Sequence, residues 1–254
     1  MEINDQGVPV EKARNIIETA SDAKVILRLI GGLAVRFHCH GPHSAHLRTY
    51  HDIDLFGLSR QREGIFSVFQ KIGYSPNDEY NLLYGENRLQ FVDQKSKEHV
   101  DVYLDKFIMD HTIDFRKRLK LDEQTIPITD LLLTKLQITR LTEKDVMDVI
   151  TILEDHGIGH EDGQEILNVE YIAKLCSNDW GLHKTVTDNL HKMTEAIEKK
   201  SFEAIEKKDL TFKIEAIQNA IKIKKKALLW RLRGSLGEKV KWYQDVESGE
   251  GEIS

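Results

Sequence analysis

Between residues 9 and 21, apolar side chains return every three or four positions: Val10, Ala13, Ile16, Ile17 and Ala20. That spacing lines one face of a helix and predicts one here. The run Lys24 to Ile30 (KVILRLI) is short and apolar throughout, as a buried strand is. Gly31-Gly32 interrupts it, and Leu33-Ala34-Val35-Arg36-Phe37 predicts the first turns of a new helix. Arg48 to Phe56 has the alternation of a strand. Ile65, Phe66, Val68, Phe69 and Ile72 return to helical spacing, closed by Gly73. Leu82-Leu83-Tyr84 and Leu89 to Val92, joined by the turn residues Gly85-Glu86-Asn87, read as a hairpin. His99 to Leu104 reads as a further strand. Beyond Pro127 only helical periods remain, over 129–140, 143–155, 164–176, 183–200 and 211–232.

This order predicts an α/β (α+β) protein: a small mixed sheet with flanking helices, followed by an all-helical C-terminal region. All four prolines precede residue 128, and a boundary is expected near 120–127. The division is then 1–125 for a catalytic core, 126–246 for a helical domain and 247–254 (ending SGEGEIS) for a disordered tail. No internal repeat is visible.

The chemistry concentrates around the glycine turn. A Gly-Gly turn that opens a helix offers free backbone N–H groups and a positive dipole end to an anion. Downstream, Asp52-Ile53-Asp54-Leu55-Phe56 sets two aspartates at i and i+2, on one face of an extended chain. Carboxylates so placed repel unless a cation lies between them, and hard oxygen donors suit Mg²⁺. A third acid, Asp101, sits between Val100 and Val102. Asp105 competes for its role but precedes Lys106 at the strand's end, so Asp101 is preferred. Strand interiors disfavour aspartate, and three such residues call for a cause. Local capping or pairing is the bland one, and a two-metal phosphoryl- or nucleotidyl-transfer site is the functional one.

A second group lies in the helical part. Lys135 interrupts the apolar run Ile128 to Leu136. It is either a snorkelling lysine or a point charge for triphosphate oxygens. Asp145 and Asp148, at i and i+3, share a helix face. Asp145 also completes a capping box with Thr142. Between the glycine turn and the acid pair, His38, His40, His43, His46, His51 and Cys39 crowd one insert. Their spacing fits no zinc pattern, and a loop over the active site is the preferred reading.

Charge adds a partner. The chain's net charge is −6, yet residues 221–241 hold eight cations and one acid. An acidic body with a basic patch at 221–243 suits a polyanion, although a solvated helix face explains such patches equally well. Trp230, Arg231, Arg233, Trp242 and Tyr243 could stack on bases or pack the last helix on the body, the better account of the tryptophans. Two cysteines, no apolar run of membrane length and no signal-peptide pattern make a cytoplasmic protein the expectation, with no membrane partner.

Taken in order, Gly31-Gly32, Asp52, Asp54 and Asp101 resemble the signature of the nucleotidyltransferase superfamily, and the histidine insert accounts for the long spacing between glycines and acids. The stretch from DLLLTKLQ to EKDVMDV looks like the lysine and DxxD motifs of its AbiEii-type branch, with Lys135, Asp145 and Asp148 on the matching positions. The resemblance covers roughly residues 25 to 155. It implies the minimal nucleotidyltransferase fold and transfer of a nucleoside monophosphate from an NTP substrate, with two Mg²⁺ ions on Asp52, Asp54 and Asp101. Gly31, Gly32, Lys135, Asp145 and Asp148 would then bind the nucleotide. Some members of that branch are toxins of toxin–antitoxin pairs that modify tRNA, which implies a tRNA acceptor and an antitoxin partner. Other branches modify antibiotics such as aminoglycosides or lincosamides. A nucleotide- or RNA-binding protein without turnover is the remaining alternative.

Overall fold

The computed structural model describes residues 7–39, 52–200 and 202–245. Most of the histidine insert (40–51) and the tail expected to be disordered (247–254) lie outside the described residues. The chain opens with α1 (Gly7–Asp22), β1 (Leu27–Ile30) and α2 (Gly31–His38). After the insert come β2 (Ile53–Gly57), α3 (Arg62–Lys71), β3 (Tyr74–Pro76), α4 (Asp78–Tyr84), β4 (Arg88–Asp93) and β5 (His99–Leu104). A small ribbon, β6 (Lys106–Ile108) with β7 (Thr112–Asp114), precedes the helical region.

Five strands form one mixed sheet in the order β1-β2-β5-β4-β3. The pair β2/β5 is parallel and its neighbours are antiparallel. Alternation does the expected work: Leu55, Val100, Val102, Leu89 and Phe91 are buried, while polar residues between them take the other face. The register creates one polar row. Ile30 lies opposite Asp54, Asp54 opposite Asp101, and Asp101 opposite Gln90. The chain turns from Ile30 straight into α2, so that row begins at a helix N-terminus.

The helical region comprises α5 (Ile128–Leu136), α6 (Glu143–Asp155), α7 (Val169–Asn178), α8 (Trp180–Lys199), α9 (Ala204–Ile223) and α10 (Leu228–Leu236). Between α6 and α7, β8 (Gly157–Gly159) and β9 (Ile166–Asn168) pair in parallel. Both α5 and α6 lie against α2. The lysine of α5 and the acids of α6 are thereby carried to the sheet end where α2 begins.

Three expectations are corrected. Residues 78–84 are helical, so no hairpin joins Leu82-Leu83-Tyr84 to β4. Asn77 accepts the backbone N–H of Tyr80, and Asp78 and Glu79 occupy the first turn, where the helix dipole favours acids. The helix expected over 211–232 is two, with Lys224 closing α9 and Ala227 preceding α10. Tertiary contact imposes the break, since Ala227 N–H donates to the Ser177 carbonyl at the end of α7. The helix expected from residue 164 begins at Val169, because Ile166–Asn168 is spent on β9 and Asn168 caps α7.

Candidate active site

Gly31 opens α2 with φ +74, a conformation that favours glycine. A Cβ on Gly31 would also stand 3.1 Å from Asp54 Oδ2. Backbone and carboxylate therefore meet at a separation that a larger residue would disturb. Ile30, preceding α2, supplies no side-chain cap. The first N–H groups of α2, including those of Gly31 and Gly32, thus start beside the acid row without a capping side chain among the described residues.

Asp54 occupies the middle of that row. Burial, the Asp101 charge and Asp52 push its carboxyl up to about 7, against the opposing pull of Arg88 and Lys135. Asp52 stands exposed just before β2. Asp101, across the parallel ladder, is held by two side chains of β4. Arg88 Nη2 donates to its Oδ2 at 2.7 Å, and Gln90 Nε2 donates to its Oδ1 at 3.2 Å. Among the described residues, no three His, Cys, Asp or Glu side chains are gathered closely enough to grip a metal ion together. In chemistry the donors fit a hard divalent cation: Asp54 and Asp101 are neighbouring carboxylates, with Asp52 close enough to add its charge.

Asp105 has a different task. It ends β5 at φ +61 and accepts from Ser59 N at 3.0 Å and Ser59 Oγ at 2.5 Å. Its carboxylate ties the segment after β2 to the end of β5.

Lys135 is 9% exposed, and it does not snorkel to water. Its ammonium lies 2.8 Å from Asp148 and 3.3 Å from Asp145. Asp145 also forms the expected capping box. Its Oδ2 accepts from Thr142 N and Oγ1, while Thr142 Oγ1 accepts from Asp145 N. Burial opposes ionisation of Asp145, but Lys135 and these bonds hold its carboxyl below the usual carboxylate range. The Lys135 charge is also felt at Asp54, so the helical cluster and the acid row share one electrostatic environment.

Of the insert, His38 and Cys39 are described. The His38 ring meets the Ile126 carbonyl at 3.2 Å and the Thr125 hydroxyl at 2.5 Å, and stands edge-on to His156. Burial pushes the Cys39 thiol up and keeps it protonated. His38 ties α2 to the start and end of the α5–α6 unit, and the Cys39 thiol donates to the Thr151 carbonyl within α6.

In the basic C-terminal segment, Arg233 lies over the Trp180 ring and donates to the carbonyls of Gly237 and Val240. Trp230 meets the His183 ring, and Trp242 meets Trp180. These side chains pack α10 and the chain beyond it onto α8. Lys222, Lys225, Arg231, Lys239 and Lys241 remain exposed beside Leu228, Leu229, Leu232 and Leu236, each at least half exposed.

Sequence reasoning overlooked Arg88 and Gln90. A signal was present: in Arg88-Leu89-Gln90-Phe91 the apolar residues alternate with two polar ones, which share a face. It also overlooked Arg118, whose guanidinium joins Asp130 at 2.8 Å to Asp162 at 2.6 Å and covers the Tyr171 ring.

No protein-family model matches the sequence, and no curated protein matches it. Among solved structures, the solution structure of the antibiotic-resistance factor ANT(2'')-Ia is similar with a TM-score of 0.37 and 11% identity. The match covers 57% of this chain and 83% of that one. Agreement at that level describes neither activity nor substrate. Among the described residues, no helix is long and apolar enough to cross a membrane.

Proposed function

We propose that the protein is a nucleotidyltransferase that moves a nucleoside monophosphate from an NTP to an acceptor hydroxyl. The observation that carries this reading is the row Gly31–Asp54–Asp101, in which an uncapped helix start adjoins two register-paired carboxylates. A structural protein has little use for like charges stacked across a parallel ladder. A phosphoryl-transfer site needs them.

The roles follow from position. Backbone N–H groups at Gly31 and Gly32 bind phosphate oxygens of the NTP. Lys135, fixed by Asp145 and Asp148, neutralises charge that builds on the departing pyrophosphate. Asp52 and Asp54 would hold Mg²⁺, with Asp101 joining them on the acceptor side. Bound there, the metal would supply Lewis-acid stabilisation of the phosphate oxygens. Asp101 Oδ2 accepts the proton of the attacking hydroxyl once Arg88 has released it.

The acceptor carried by the family resemblance is tRNA, with an antitoxin protein as partner. The exposed cations at 222, 225, 231, 239 and 241 favour a polyanion. A drug acceptor is the competing reading. Incubating pure protein with each α-labelled NTP, Mg²⁺ and either total RNA or an aminoglycoside tests both the reaction and the acceptor. Label should move to one acceptor with wild type, and to none with Asp54→Asn. Full transfer by Asp54→Asn would overturn the assignment.

A further inference from the structure

The acid row divides the sheet end into two sides. On one, β1 leads into Gly31 and α2, with Lys135 beyond. On the other, β4 carries Arg88 and Gln90, and α4 lies against β4. The triphosphate belongs on the first side, where the free backbone donors are. Nothing so far accounts for the second.

That side is built from a cation and phenol rings. The Arg88 guanidinium lies 4.7 Å from the Tyr103 ring centre and 5.9 Å from that of Tyr80. Tyr80 and Tyr84, one helical turn apart on α4, hold their rings 4.9 Å apart at a 44° tilt, and Tyr84 is 55% exposed. Arg88 spends Nη2 on Asp101, while its Nε is buried without a hydrogen-bond acceptor among the described residues. A guanidinium whose Nε–Nη2 edge is only half spent, set beside aromatic faces, suits a phosphate joined to a planar ring. The phosphate takes the forked donors and the ring takes the tyrosines.

Resting on the proposed transfer reaction, we propose that Arg88, Tyr80 and Tyr84 form the acceptor subsite, which takes a nucleobase together with its phosphate. A phosphate arriving at Arg88 competes with Asp101 for the guanidinium. An acceptor without phosphate leaves Asp101 paired with Arg88. The same chemistry is offered by a free nucleotide and by the end of a nucleic-acid strand.

Equilibrium binding separates the possibilities. Adenosine, AMP and a short single-stranded RNA are titrated into the full chain in the presence of a non-hydrolysable NTP, which fills the donor side. Wild type should bind AMP or the RNA about 10–100-fold more tightly than adenosine. Arg88→Gln should lose that preference, so that adenosine, AMP and the RNA bind alike. Tyr84→Ala, at an exposed position that threatens no core packing, should weaken the phosphate-bearing probes about tenfold. Tight binding of AMP marks a free nucleotide as acceptor, and tight binding of RNA alone marks a strand end. Equal binding of adenosine and AMP by wild type, or a preference that persists in Arg88→Gln, overturns the subsite. If the preference vanishes in Arg88→Gln but wild type moves no label, the subsite stands and the transferase reading falls. If label moves and the preference persists, the reverse holds.

Discussion

Asp54 and Asp130 are aspartates withdrawn from solvent, Asp54 in part and Asp130 fully, and burial pushes both up, to about 7 and about 6. Their company is opposite. Asp130 in α5 accepts from Arg118 at 2.8 Å, and Arg118 is shared with Asp162 and packed on Tyr171. Among the described residues, Asp54 has two other acids for neighbours, and the cations that act on it are each engaged elsewhere, Arg88 with Asp101 and Lys135 with Asp148. The helical region thus buries Asp130 and Lys135 only with partners at hand, and the sheet row stacks like charge. Opposite charges buried together satisfy one another, whether they brace the fold, as Asp130 does, or serve the proposed site, as Lys135 does. Like charges set side by side call for a further cation.

That contrast is sharpest in Asp54→Asn. The substitution removes a like charge from the row, so thermal stability at pH 8 should rise above wild type. Nucleotidyl transfer should fall at least about a thousandfold, on the order of 4 kcal/mol of transition-state stabilisation. A variant that loses stability along with activity would make Asp54 a structural residue and erase the distinction.

Arg118→Met tests the other side. It takes the cation from Asp130, fully buried in α5, and removes the tie to Asp162. Breaking a buried pair from one end costs about 3–5 kcal/mol, read as a lower urea midpoint at unchanged slope. Transfer per folded molecule should be unaffected, because Arg118 does not touch the acid row. Selective loss of transfer with stability intact would place Arg118 on the functional side.

A smaller effect concerns a group that the helical region keeps neutral instead of pairing. Burial, with Lys226 nearby, lowers His183 to about 4, and its ring lies against Trp230 between α8 and α10. Below pH 6.5 the unfolded chain takes up a proton that the folded chain refuses. Stability from this group is therefore complete above about 6.5 and is lost as pH falls towards 4. In His183→Phe, which keeps a ring against Trp230, the melting temperature should decline less between pH 7 and pH 4.5 than in wild type. An equal decline would show that α10 detaches before His183 titrates.

The same contrast explains what could be read before the fold was known. The glycine turn, the acid pair and the third acid were legible because each breaks a local rule: glycines at the start of a helix, aspartates in a strand or at its edge. The capping box at Thr142 and Asp145 was legible because it is local by nature. The Arg118–Asp130–Asp162 tie was not, since its members are 12 and 44 residues apart and none is unusual where it stands. Helix α4 was missed because seven residues hold too few turns to show a period, and its Leu82 and Leu83 point to solvent. The break at 224–227 has neither glycine nor proline. It comes from the Ala227–Ser177 bond, a tertiary cause that no window of sequence contains.

The mildest test falls where the two regions touch. Asp145 divides its carboxylate: Oδ2 closes the capping box with Thr142, and Oδ1 meets Lys135. Thr142→Ala deletes the hydroxyl but leaves the Thr142 N–H bond and the lysine contact. Loss of a cap costs about 1 kcal/mol, and stability should fall by that amount. If the cap serves α6 alone, affinity for a non-hydrolysable NTP stays at the wild-type value, because Asp148 still holds Lys135 at 2.8 Å. If nucleotide affinity drops by more than stability does, cap, lysine and acid row act as one unit. The cap would then be part of the site's chemistry and not a brace for α6 alone.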